Sequence, residues 1–173
     1  LAFLEADMGN RINTRELLGQ VTTISREINY KEGLAYGEFY AALLAWEKGD
    51  IAEAEKLMIQ SISSLDKMNE IQDLYSPLSA IRIFYNVTRQ QDKKLNFYRE
   101  KLDYYKQNGP KENIGSCYHG LGNYYMLSGD YEKSIEYYIR AGENWKSWGN
   151  ETCYMIVQFV VADKYQEWGN VKH

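Results

Sequence analysis

Gly9, Gly49, Gly129 and Gly169 stand on a ladder with a period of 40 residues. Each is followed by Asn or Asp, as Gly9-Asn10, Gly49-Asp50, Gly129-Asp130 and Gly169-Asn170. The remaining rung falls at Arg89-Gln90 and carries no glycine. A second ladder runs half a period away, through Asn29, Asn69, Gly109 and Gly149. Glycine and asparagine both tolerate the left-handed backbone conformation that ends helices. Two turn ladders of one period, out of phase, describe a stack of helical hairpins. A fixed period of this length is the mark of a solenoid and outranks any local motif.

The rest of the composition agrees with helices and excludes several classes. Only 2 of the 173 residues are proline. Net charge is −4 with both signs interspersed, and no basic stripe points to nucleic acid. No apolar run approaches the 18 or so residues of a membrane span. The chain begins at Leu1 in mid-pattern, so it is expected to be a piece of a longer protein, and the lack of a leader segment says little. Cys117 and Cys153 have neither CxxC spacing nor a His cluster beside them. They read as free thiols packed in helices, which favours a reducing, cytoplasmic setting.

The clearest unit runs Tyr118-His119-Gly120-Leu121-Gly122-Asn123-Tyr124-Tyr125, then Met126-Leu127-Ser128-Gly129-Asp130-Tyr131, and continues through Ser134, Tyr138 and Ala141. It resembles the tetratricopeptide repeat (TPR), W-x2-L-G-x2-Y…A-x3-F…A. Tyr118 takes the Trp slot, Leu121-Gly122 the Leu-Gly pair and Tyr125 the following aromatic. Ser134, Tyr138 and Ala141 take the small, aromatic and small slots of the second helix. Large and small residues alternate as two closely packed helices require. Stepping by the period, the Leu121 slot holds Leu1, Ala41, Ile81 and Val161, and the Gly122 slot holds Ala2, Ala42, Arg82 and Ala162. The Tyr138 slot holds Leu18, Met58 and Tyr98, while Leu65, Tyr105 and Trp145 align further on. A TPR usually has about 34 residues and HEAT or armadillo repeats about 40–47. The Leu-Gly-x-x-Tyr run and its turn decide for a lengthened TPR, similar to those of bacterial signalling and regulatory proteins of the MalT-like and Rap-like kinds.

The expected fold is all-α: a single TPR-like α-α superhelix over 1–173, with repeat turns at 9–10, 49–50, 89–90, 129–130 and 169–170. First-type helices are expected over 1–8, 32–48, 72–88, 112–128 and 152–168. Second-type helices are expected over 11–28, 51–68, 91–107 and 131–148, making nine in all. The third repeat departs most. Lys94 and Lys101 fall on small-residue slots, and a one-residue shift that turns Leu95 and Leu102 inward stays open. Ser76-Pro77 is a cap and first-turn pair, so that helix either begins at Pro77 or kinks there. The superhelix is expected to bend or open in this repeat.

No catalytic constellation stands out, and no enzyme activity, metal or cofactor is expected. His119 is one of 2 histidines, the other being the terminal His173. Gly120 and Gly122 belong to the packing motif and not to a phosphate loop. Glu53 and Glu55 read as a solvated face. The resemblance implies a different use: first-type helices of TPR arrays line a concave groove that binds a peptide. Helical phase places Tyr36, Phe39, Leu43 and Trp46 on that groove from the second repeat. The third contributes Ser79, Ile83 and Asn86, the fourth Ser116, His119, Asn123 and Met126, and the fifth Phe159, Asp163 and Gln166. The asparagines can donate to and accept from a peptide backbone, and aromatics give contact area at low entropy cost. The same aromatics could instead pack between helices. The clamp that some TPRs use for a terminal carboxylate is not expected, because Phe39, Leu43, Ala80 and Ser116, or Ser79, Ile83, Gly120 and Ile156 one register later, carry no positive charge.

The chain thus reads as a binding scaffold for a peptide or protein partner, with no role for nucleic acid or membrane. The alternative is a ligand-sensing segment of a bacterial transcription regulator or signalling enzyme. Val157, Val160 and Val161 on the last helix have no second-type helix after them, so end-to-end self-association through that face is expected.

Overall fold

The computed structural model describes residues 11–72 and 76–171. The helix expected over 1–8 and the first turn, Gly9-Asn10, lie outside the described residues. Among the described residues there is no strand, and eight helices follow one another: α1 Arg11–Glu27, α2 Lys31–Glu47, α3 Ile51–Lys67, α4 Pro77–Val87, α5 Gln91–Gln107, α6 Asn113–Leu127, α7 Tyr131–Ser147 and α8 Glu151–Val171. The chain is therefore all-helical, and consecutive helices pack in pairs. Contacts divide it into two compact units, the chain passing from one to the other between Met68 and Asn69.

The turn ladders act through backbone geometry. Gly49, Gly129 and Gly149 have φ of 83°, 79° and 74°, and Asn29 and Asn69 have 54° and 61°. The glycine-free rung takes the same conformation, with Arg89 at 58°. At each of these turns except the one at Asn69, the left-handed residue's N–H bonds three residues back. The next N–H bonds five back, as Gln90 N to the Tyr85 carbonyl at 2.9 Å and Asp130 N to the Tyr125 carbonyl at 3.0 Å. This is the Schellman arrangement, which satisfies the last carbonyls of a helix. The acid after the glycine serves the helix that follows. Asp50 and Asp130 Oδ1 each accept from the backbone N–H three residues on, at 3.2 Å. Gly-Asp therefore closes one helix and caps the next.

Two rungs behave otherwise. Gly109 does not have a positive φ; a Cβ there would collide with the Tyr105 ring, so close approach explains the glycine. Gly169 and Asn170 do not form a turn, because α8 continues through them to Val171.

In the first unit α2 packs between α1 and α3. Gly33, Ala35, Gly37, Phe39 and Ala42 are its buried residues, and a Cβ on Gly33 or Gly37 would approach Ser25 or Thr22 of α1. The buried apolar residues of α3 are Ala54, Met58, Ile62 and Leu65. Small residues on a buried helix face let a neighbouring axis approach closely.

In the second unit α4 packs on α5 and α6, α5 on α6, α6 on α7 and α7 on α8. Helix α4 begins at Pro77 with Ser76 as its N-cap, so the helix is shorter than the expected 72–88 and is not kinked. The 40-residue period reappears as burial. Met58, Tyr98 and Tyr138 are 0%, 1% and 2% exposed, and Leu65, Tyr105 and Trp145 are 1%, 0% and 3% exposed. Ala54, Lys94 and Ser134 are all at 0%. Lys94 thus keeps the small-residue slot and points inward, with no slip of the third repeat at that position; Leu95 is only half-buried. Further along the same helix Leu102 is buried and Lys101 half-buried.

Helix α8 also differs from expectation in which face is covered. Val157 and Val161 are buried against Ile135, Tyr138, Ala141 and Trp145 of α7, with Val160 packed at the edge. The apolar side chains that α8 leaves exposed are Met155, Ile156, Phe159 and Tyr165. The helix turns its valine stripe onto its predecessor, since that is the apolar surface available to it. Cys117 and Cys153 are buried and not joined in a disulfide.

Candidate functional site

Four helices of the second unit enclose an open cleft of about 480 Å³. Arg82 comes from α4, His119, Asn123 and Met126 from α6, Tyr138 from α7, and Ile156, Val160 and Lys164 from α8. Two glycines bring α6 close to its neighbours. A Cβ on Gly120 would stand 2.6 Å from Tyr98 and one on Gly122 would stand 2.9 Å from Tyr138, so α6 lies directly on those rings.

The cleft is backed by a polar network. Asn123 Oδ1 accepts from Asn86 Nδ2 at 2.9 Å and from Lys94 Nζ at 3.1 Å. Lys94 Nζ donates in addition to Asn86 Oδ1, and its ammonium stands 5.8 Å from the Tyr124 ring centre. Burial, helped by the Arg82 charge, pushes the Lys94 amine down to about 8. Amide oxygens and a ring face hold this cation without a carboxylate among its described partners, so its proton is weakly held. Tyr138 is raised by burial, against a hydrogen bond with Asn123 and the positive charges of Arg82 and Lys164.

His119 is buried between the rings of Tyr138 and Trp145, at centroid distances of 5.4 and 5.7 Å. Burial, followed by the charge of Arg82, lowers it to about 3, so the imidazole is neutral across the physiological range. A neutral imidazole set in an aromatic wall packs as a ring among rings. Among the described residues no three His, Cys, Asp or Glu side chains converge as a metal site.

Arg82 stands apart. Its Nε is buried without a hydrogen-bond partner, and none of the ion pairs among the described residues involves it. Lys164 pairs with Asp163 at 2.9 Å, a carboxylate side chain 62% exposed.

The residues expected on the groove fall into three groups. His119, Asn123 and Met126 line the cleft, and Asn86 stands behind it, bonded to Asn123. Ser116 is spent within the fold, its hydroxyl donating to the Gln72 carbonyl at 3.0 Å, and Ser79 is buried. Ile83, Phe159, Asp163 and Gln166 are exposed and do not line the cleft. Tyr36, Phe39, Leu43 and Trp46 belong to the first unit. Phe39 is buried and the other three are half-buried, with Phe39 lying 5.6 Å from the Tyr40 ring. That unit has its own shallow cleft of about 370 Å³, formed by α2 and α3 residues from Ala41 to Leu57. Sequence reasoning missed Arg82, Tyr138, Ile156, Val160 and Lys164. One signal was present: Arg82 is a charged residue in the slot that otherwise holds glycine or alanine.

No protein-family model matches this sequence, and no curated protein does either. Among the described residues no helix is long and apolar enough to cross a membrane.

Proposed function

We propose that this chain is a TPR-type α-α superhelical segment that binds a peptide or protein segment in the cleft between α4, α6, α7 and α8. The observation that carries the reading is the make-up of that cleft. Its volume falls in the range of ligand sites, about 300–1,000 Å³. Met126, Ile156 and Val160 supply apolar surface, and Asn123, Arg82 and Lys164 supply polar groups that can fix orientation. The Asn86–Lys94–Asn123 hydrogen bonds hold Asn123 in place, so the site meets its partner with little side-chain ordering left to do. The turn geometry, the recurring large and small slots and the Leu121-Gly122-x-x-Tyr125 run support the TPR assignment.

A random dodecamer selection on this chain, run beside a Met126→Ala/Ile156→Ala variant, tests the reading. Peptides enriched on the parent and lost on the variant are the expected result. Enrichment indifferent to the variant would move the site elsewhere on the molecule.

A further inference from the structure

We propose that the cleft selects an acidic side chain of its partner, whose carboxylate seats against Arg82 and Lys164 while a neighbouring apolar residue covers Met126, Ile156 and Val160. This rests on the reading of the cleft as a peptide groove and adds the chemistry of what enters it.

Charge complementarity is the first reason. Two cations line the cleft and no Asp or Glu does. A third cation, Lys94, sits behind Asn123. Walls that carry one sign of charge over low-dielectric surroundings raise the local concentration of the opposite sign. The second reason is the state of Arg82. A buried N–H without a partner is costly, and its Nε is such a donor. Arg82 lines the cleft, and a carboxylate bound there meets its guanidinium in the two-pronged geometry that suits arginine and not lysine. The third reason is position. Arg82 occupies the slot that holds Ala42 and Gly122 in neighbouring repeats, so a long cation stands there in place of a small residue. Lys164 pairs with Asp163, whose carboxylate side chain is exposed, so that partner is held weakly.

The chemistry of the ends matters, because a carboxylate could also come from a peptide C-terminus. The carboxylate proposed for the cleft is that of a side chain, flanked by chain on both sides. The probe is therefore a dodecamer library displayed through its C-terminus, which contains no free terminal carboxylate. Dodecamers it enriches are then made with acetylated and amidated ends and titrated against the whole chain.

Expected are sequences sharing an Asp or Glu beside an apolar residue. Replacing that acid by its amide should weaken binding about tenfold. On Arg82→Gln the acid and amide peptides should bind alike, and Lys164→Gln should narrow their difference. If Arg82→Gln does not fold, the Lys164→Gln titration carries the comparison. Three results overturn the inference. Enriched peptides that lose nothing on acid-to-amide exchange leave a groove without acid selection. Unchanged discrimination in both variants puts the carboxylate elsewhere. Recovery of the amide peptide by a free C-terminus makes the terminus the ligand. A selection that enriches nothing overturns the groove reading itself and this inference with it.

Discussion

Arg89 provides a direct measurement of what a missing glycine costs. It takes φ 58° at the one turn of its ladder that lacks glycine. Its side chain is exposed. The left-handed conformation costs an L-residue roughly 1–2 kcal/mol. Glycine removes that cost but loses about 0.4–1 kcal/mol through the greater freedom of the unfolded chain. Arg89→Gly should therefore stabilise the protein by about 0.5–1 kcal/mol. At a urea dependence near 2 kcal/mol per molar, that moves the midpoint up by roughly 0.3–0.5 M with an unchanged slope. Arg89→Ala keeps the strained backbone and should lie within about 0.5 kcal/mol of the parent. Gly129→Ala is the reverse experiment, at φ 79° in open space with no atom within 4 Å of the new Cβ. By the same arithmetic it should cost about 0.5–1 kcal/mol. Both turns lie in the second unit, so one transition followed by far-UV circular dichroism reports both. A neutral or destabilising Arg89→Gly beside a costly Gly129→Ala would refute the argument, because the arginine side chain would then have to contribute what the backbone loses.

Lys94 has a folded-state value near 8 against an ordinary 10.5. Between those values the unfolded chain binds the extra proton, so stability should rise with pH from about 8 to 10.5, a rise that Lys94→Met abolishes in urea titrations at stepped pH. His119 titrates near 3 when folded against 6.5 unfolded. Its contribution is complete above pH 6.5 and is lost as pH falls toward 3, so His119→Phe should flatten the acid limb of the thermal-unfolding profile. Gly120→Ala would place a methyl 2.6 Å from Tyr98, a ring 1% exposed whose hydroxyl donates to the Leu78 carbonyl at 2.6 Å. With so little room to move, the expected loss is about 2–3 kcal/mol, or roughly 5–10 °C in calorimetry.

The helices and their order were legible in the sequence, because turn chemistry is local. A left-handed residue constrains its own φ and ψ and nothing distant, so a glycine or asparagine ladder can be read without knowing what packs on what. Even the rung without glycine was placed correctly by the period, since Arg89 follows the geometry that its neighbours impose. The same reasoning failed at Gly109, where the glycine answers to the Tyr105 ring, and at Gly169, where nothing ends α8. Core slots were legible too, as Met58, Tyr98 and Tyr138 show, since one register serves every repeat.

The cleft was legible only in part. His119, Asn123 and Met126 follow from the phase of α6. Lys94 read as a misfit and Arg82 as a degenerate packing slot, because a sequence does not say whether a cation in a small-residue position is buried against amide oxygens or aimed into a gap. Those roles depend on Asn86 meeting Asn123 and on α8 turning its valines toward α7, which leaves Ile156, Val160 and Lys164 beside the cleft. The sequence by itself determined where the chain turns, through conformations that single residues permit or forbid. Tertiary structure alone decided which side chains share a surface, since contact between helices far apart in the chain is a property of packing and not of any one of them.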